Sequence, residues 1–245
     1  MTVEASLVPK LWNLPEAIRN RLGREAGPQR AMLEEGHLLI ILHQLPEPNE
    51  LTRRAALFWR QPNGEWRSSL GGAPLAVLQG LLDAYHERLT KLEAAENGAA
   101  AASEYHSLLE QLAPLVRSAR GLHRALQQAR ELLKSEHSLV NFRDQAAGIE
   151  RNADLLLQDA QFGLNFTVAK QAEAQAATAK QMAVTAHRLN LLAAIFLPLT
   201  ALASVFGMEI HSHLQDSPAN FWLICIAGLL AGLITWGLLT RRQRF

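Results

Sequence analysis

The chain has little with which to cross-link itself. It holds one cysteine, Cys225, so no disulfide can form within it. It also lacks a charge imbalance: 24 Lys and Arg face 23 Asp and Glu, for a formal net charge of +1. That balance gives no sign of a nucleic-acid surface. There is no phosphate-binding glycine loop and no HExxH pair, so no enzyme reading arises. His37, His43, His86, His106, His123 and His137 are scattered without ligand spacing and read as surface or helix-face residues. The opening MTVEASLVPK has no basic run leading into an apolar core. No cleaved signal peptide is expected, and insertion falls to the first apolar run.

What the chain has instead is a concentration of apolar residues at one end. Leu189–Met208 (LNLLAAIFLPLTALASVFGM) and Phe221–Thr240 (FWLICIAGLLAGLITWGLLT) are two runs of twenty residues without a charge. At about 1.5 Å rise per residue each can cross a hydrocarbon core of roughly 30 Å. Twelve residues, Glu209–Asn220, separate them. This predicts a transmembrane hairpin. The loop has no Lys or Arg, whereas His187-Arg188 precede the first run and Arg241, Arg242 and Arg244 follow the second. The positive-inside rule then places both termini in the cytoplasm, in an inner (cytoplasmic) membrane, with the lipid bilayer as partner. Trp222 and Trp236 stand near the ends of the second span, where interfacial aromatics are favoured. Gly228-Leu-Leu-Ala-Gly232 is a GxxxG pattern that permits close helix packing.

Three regions are expected: 1–72 a small cytosolic α/β region, 73–188 a cytosolic helical bundle and stalk, and 189–245 the hairpin with its basic tail. In the first, residues 1–35 are polar and broken, with one short helix over Pro15–Arg24. His37–His43, Ala55–Arg60 and Glu65–Ser69 read as a small antiparallel sheet of about three strands, the last two joined by Gln-Pro-Asn-Gly. Helices on one face would stabilise it. Leu75, Leu78, Leu82, Tyr85, Leu89 and Leu92 predict the first long helix, ending at Asn97-Gly98. Ser103 is a candidate cap for the next, whose apolar side is Leu108, Leu112, Leu115, Leu122, Leu126 and Leu133, with bends at Pro114 and Gly121. A further stretch starts near Ser138, with a break at Gly148. From Glu150 to Gly207 nothing stops a helix of roughly 85 Å, with Gly163 and Pro198 as kinks.

One stripe crosses from stalk to span without a change of register: Ala169, Ala172, Ala176, Ala179, Ala183, Ala186, Asn190, Ala193, Leu197, Thr200 and Ser204. Small residues let helices approach closely. Polar groups in a bilayer face a bundle interior or a water-filled cavity. Both readings fit the stripe: close packing, or the lining of a pore around an axis shared by several copies.

Ala194-Ile-Phe-Leu-Pro-Leu-Thr200 followed by Val205-Phe-Gly-Met208, a short loop, a second span and a basic tail resemble the C-terminal region of CorA-type divalent-cation transporters. The resemblance is specific over about 186–244, and weaker over 103–185, where Asn141-Phe-Arg-Asp144 is suggestive. It implies a mainly α membrane protein with a small N-terminal sheet, a stalk helix continuing into the first of two transmembrane helices, and a homopentameric funnel. Placed on Gly207-Met208, the family's pore positions fall on Leu197, Thr200, Ser204 and residue 209, with Asn190 lower on the stripe. Leu197, and Leu189 below it, would be a hydrophobic gate. Where the family has Asn after Gly-Met, this chain has Glu209. A ring of carboxylates attracts cations strongly, but like charges at close range cannot all ionise. His211, His213 and Asp216 add outer-mouth donors that suit Zn2+, Ni2+ or Co2+ better than Mg2+. The implied function is a cation channel or transporter, with a divalent cation (Mg, Co, Ni or Zn) as cargo or regulator and no tightly bound cofactor. Two other readings share the scaffold: a poorly selective or tension-responsive channel, and a non-transporting membrane-anchored helical scaffold. Asp154, Asp159 and Glu173 are candidates for regulatory cation contacts between protomers, against the plainer reading of solvated helix faces.

Overall fold

The computed structural model describes residues 7–9, 11–23, 25–46, 54–207, 222–223, 226–230 and 232–234. The chain divides into two compact units, Met1–Ala169 and Lys170–Phe245. The first is mainly helical with a small antiparallel sheet at its N-terminal end.

That sheet has four strands, not three, in the order β1 (Arg30–Glu34), β2 (His37–His43), β3 (Ala55–Arg60) and β4 (Trp66–Ser68). The additional strand lies in the segment read as irregular. Glu34 pairs with His37, so Glu35 and Gly36 alone make the turn, with φ of 53° and 79°. Two successive positive φ values are what a tight hairpin needs to match strand twist. A Glu at the first of these positions is an unusual choice, which is why the sequence does not advertise the turn.

Both faces of the sheet are covered. Leu38, Ile40, Leu42 and Phe58 join the core formed with the long helices. Leu39, Ile41, Leu57 and Trp59 alternate to the other face, where Trp12, Leu14 and Ile18 cover them. That cover includes the one-turn helix α1 (Glu16–Arg19), shorter than the Pro15–Arg24 expected, and Arg19 ties it down through the Leu14 and Trp12 carbonyls at 3.1 and 2.7 Å. Two buried faces explain why His37–His43 is apolar throughout its middle instead of alternating.

Helices α2 (Pro74–Gly98), α3 (Ala102–Leu132) and α4 (Ser138–Gly207) follow. The leucine stripes are buried as their spacing requires, from Leu78 to Leu92 and from Leu108 to Leu126. The cap of α3 differs from the expected Ser103. Glu104 Oε2 accepts from the Ala100 and Ala101 amides at 2.8 and 2.9 Å, which holds its carboxyl below the usual range.

The glycines read as bends are contact points in unbroken helices. At Gly121 a Cβ would lie 2.6 Å from Gln29 Nε2. Gln29 needs that space: its Nε2 donates to the Ser118 carbonyl at 2.8 Å and its Oε1 accepts from the His43 amide at 3.2 Å. Tyr85 joins the same buried group through Ser118 Oγ at 2.6 Å, and its burial pushes the phenol up to about 12. At Gly163 a Cβ would meet the Tyr105 ring at 2.3 Å, so this glycine seats the start of α3 against α4. Gly148 causes no break, since α4 runs through it. Across the other end, Arg60 Nε donates to Glu136 at 2.7 Å, and Ser138 Oγ donates to the second carboxylate oxygen at 2.7 Å. Burial alone would raise the Glu136 carboxyl, but the bonds from Ser138 and Arg60 and the Arg60 charge hold it below the usual range.

Two outcomes are expected. Gly163→Ala should destabilise the protein by about 1–3 kcal/mol through overpacking. In a Tyr105→Ala background the same change should stabilise by up to about 1 kcal/mol, because only helix propensity remains. Thermal melts of the four chains check this. For Glu136, the lowered carboxyl stabilises the fold above the ordinary carboxylate range, and that contribution is lost as pH falls through the folded value. Glu136→Gln should cost up to about 1 kcal/mol at neutral pH. Its gap from wild type should close in melts taken down to acid pH.

Candidate pore-lining face

The second unit contains the upper part of α4 and the described pieces of the second apolar run. Among the described residues, no helix is long and apolar enough to cross a membrane. Both apolar runs fall only in part on those residues.

After Ala160, no described residue of α4 is buried. Large apolar side chains nonetheless recur: Leu189 is 60%, Leu192 53%, Phe196 57% and Leu197 65% exposed. The second run is similar, with Trp222, Leu223, Ile226, Leu229, Leu230, Leu233 and Ile234 exposed. Its two buried residues among those described are Gly228 and Gly232, the glycines of the GxxxG pattern. A Cβ on Gly232 would lie 3.3 Å from Ile195 Cα and 3.4 Å from its carbonyl oxygen. The glycine therefore lets the second run approach the α4 backbone itself. On α4, the half-buried Leu191 and Pro198 lie within about 60° of Ile195 and mark the same side.

The stripe lies elsewhere on the helix. At 100° per residue, Asn190 and Thr200 are about 140° from Ile195, Leu197 about 160°, and Ser204 about 180°. Asn190, Leu197, Thr200 and Ser204 are all exposed. Thr200 Oγ1 donates to the Phe196 and Leu197 carbonyls at 2.9 and 3.0 Å. Its proton is committed to the helix backbone, so what it offers outward is oxygen lone pairs, the donor type suited to a cation or its water shell.

Gly207 is the last described residue of α4. Met208, Glu209, His211, His213 and Asp216 lie outside the described residues. Among those described, no group of three or more His, Cys, Asp or Glu is placed to hold a metal ion. Asp154 pairs with Arg120 at 2.8 Å and His123 Nδ1 contacts Glu150 at 2.5 Å, so these side chains join α3 to α4. His37 stacks on Trp59, and His43 is buried with Nε2 2.8 Å from the Gly27 carbonyl. Neither histidine is free on the surface as the scattered spacing suggested.

A small sheet on a helical bundle, with the last helix running on into an apolar segment, is a known fold. The full-length CmaX protein has it, at 16% identity and a TM-score of 0.58, over 96% of this chain and 83% of that one. The ZntB cytoplasmic domain from Vibrio parahaemolyticus RIMD 2210633 is similar in fold over 66% of this chain and 80% of that one, at 17% identity and a TM-score of 0.53. No curated protein matches the chain. The family of the CorA-like Mg2+ transporter protein matches residues 17–242, and the chain belongs to that family. Its members are ion transporters and not enzymes, and membership supports a divalent-cation transporter kind of function.

The close approach at Gly232 has a direct consequence. Gly232→Leu should force the second run away from Ile195 and lower the melting temperature of the detergent-solubilised protein by several degrees. Leu229→Ala, at an exposed position of the same run, should leave it nearly unchanged.

Proposed function

We propose that the chain is an inner-membrane, CorA-like channel or transporter for cations, divalent metals above all, conducting through a homopentameric pore lined by Asn190, Leu197, Thr200 and Ser204. The observation that carries this is the position of the stripe. Asn190, Leu197, Thr200 and Ser204 are exposed and lie about 140–180° around α4 from Ile195, which Gly232 approaches, so the described residues of the second run leave them uncovered. An uncovered polar line on an otherwise apolar helix needs water or other copies beside it.

The two apolar runs are read as spans, with both termini cytoplasmic. Their exposed leucines, isoleucines and phenylalanines suit lipid or neighbouring protomers. Residues 1–72 and 73–188 form the cytosolic part, and 189–245 the hairpin. In this reading cations gather at a ring of Glu209 at the outer mouth, after Gly207 and Met208. Five carboxylates offer direct ligation, in contrast to the carbonyl ring of the family's Asn, which suits a hydrated ion. His211, His213 and Asp216 stand near that mouth as further donors. Past it the ion meets the hydroxyls of Ser204 and Thr200, then the ring of Leu197, which closes the path by dewetting.

Flux into liposomes carrying the purified protein tests this, with Mg2+, Co2+, Ni2+, Zn2+ and K+ beside Glu209→Asn and Glu209→Ala. Divalent flux is expected, with Glu209→Asn shifting preference toward Mg2+ and Glu209→Ala slowing uptake of all divalents by about tenfold or more, on the scale of losing one close charge contact of about 1.4 kcal/mol. Equal flux of every cation in all three proteins would favour a poorly selective channel, and no flux under any condition, applied tension included, would overturn the transport reading.

A further inference from the structure

A second uncovered feature lies within the first unit, where α4 is still packed against α3. Phe162 and Phe166 are 68% and 69% exposed, one helical turn apart on α4, with Leu155 at 48% below them. They flank Gly163, whose other neighbour is the Tyr105 ring. The residues that bury α4 in its own bundle, Ala153, Leu156 and Ala160, take a different face. Two adjacent phenyl rings held in water by a rigid helix are costly unless something covers them.

The same unit holds a cleft of about 480 Å³ at the tip of the α2–α3 hairpin. Its walls are small: Ala95, Gly98 and Ala99 on one side, Ser103 and Ser107 on the other, with Gln111 at one end. Its carboxylate and amide are committed, which leaves the Ser103 and Ser107 hydroxyls. The Glu104 carboxylate is spent on the Ala100 and Ala101 amides. Gln111 accepts from Arg88 at 2.9 Å and donates to the Ser107 carbonyl at 3.3 Å. A small polar ligand would find few groups to orient it, whereas apolar side chains would fill the space between short walls.

Heights match as well. Tyr105 covers Gly163, Arg120 pairs with Asp154 and His123 meets Glu150, so α3 and α4 run antiparallel. Phe162 and Phe166 therefore stand level with the stretch of α3 that walls the cleft. Charge follows the same order. Asp159 is exposed on the aromatic face and makes no ion pair among the described residues. Arg88, at the Gln111 end of the cleft, has no carboxylate partner among them.

We infer that Phe162 and Phe166 of one copy insert into the α2–α3 cleft of the next copy, with Asp159 meeting Arg88 across the joint. A projection and a cavity on different faces of one chain make a heterologous contact. Because both lie at one height, the contact need not climb along the helices from copy to copy, as a closed ring requires. This rests on the homo-oligomeric part of the proposed function and names the residues that set its geometry.

The test is disulfide trapping in the full-length protein in lipid, in a Cys225→Ser background. Chains carrying Phe166→Cys are co-assembled with chains carrying Ser107→Cys. The mixture should give a cross-linked dimer on oxidation that neither chain gives alone, and the chain carrying both changes should give a ladder of multimers. Phe162→Glu with Phe166→Glu should lower the assembled mass seen by native mass spectrometry, while Phe166→Leu should leave it intact. Asp159→Arg should weaken assembly, and adding Arg88→Asp should restore it. A wild-type assembly that gives no mixed dimer, or keeps its mass with both phenylalanines replaced by glutamate, would overturn this inference and leave the pore reading standing. A monomeric wild type would overturn both.

Discussion

The constraint on which the structure turns is that, among the described residues, nothing in its own chain buries α4 beyond Ala160. Up to Ala160 one apolar face of it, from Leu139 and Phe142 to Leu156 and Ala160, is buried in the core shared with α2 and α3. From there to Ser204 no described residue is buried, yet the helix continues without a break to Gly207. A helix with no fully buried side chain keeps its backbone hydrogen bonds but gains little from burial, and burial supplies most helical stability in proteins. In the proposed reading the missing stabilisation comes from lipid, from other copies, or from both. Membership of a family of ion transporters fits a helix left in that condition.

Glycine and small residues set where α4 is approached and where it is left bare. Gly163 admits Tyr105, and Gly232 of the second run admits the Ile195 backbone. Each contact uses one side of the helix and leaves another open: the phenylalanine face at the first, the Thr200 and Ser204 face at the second. The open faces are where the proposed assembly and the proposed pore arise. In both cases a glycine does more than relax the backbone, since it decides which face of α4 is used within the protomer.

The sheet plays a supporting part. Buried on both sides, it is tied to the helices by the Gln29, Ser118 and Tyr85 hydrogen bonds and to the foot of α4 by Arg60 and Glu136. A two-sided core in so small a sheet explains the uninterrupted apolar run of β2. It also explains why Trp12, from a segment that reads as polar and broken, ends with its ring 5.4 Å from that of Trp59.

The absence of a stop from Glu150 to Gly207 indicated most of α4, while periodicity alone determined α2 and α3, because leucines at steps of three and four bury one face wherever such a helix packs. Periodicity also determined the stripe through Asn190, Thr200 and Ser204, and residue order from Ala194 to Met208 carried the family. The tertiary structure decided what depended on the neighbour across a gap. Gly121 and Gly163 read as bends because nothing local says that Gln29 and Tyr105 lie opposite them. Strand β1 was hidden because Glu35 is an uncommon residue for a positive φ. Ser103 looked like a cap because hydroxyls cap helices, but Glu104 reached both free amides. That the stripe faces away from Gly232 could not be read from either run by itself. It required the two runs in contact, since a helix face is open or closed only with respect to what packs against it.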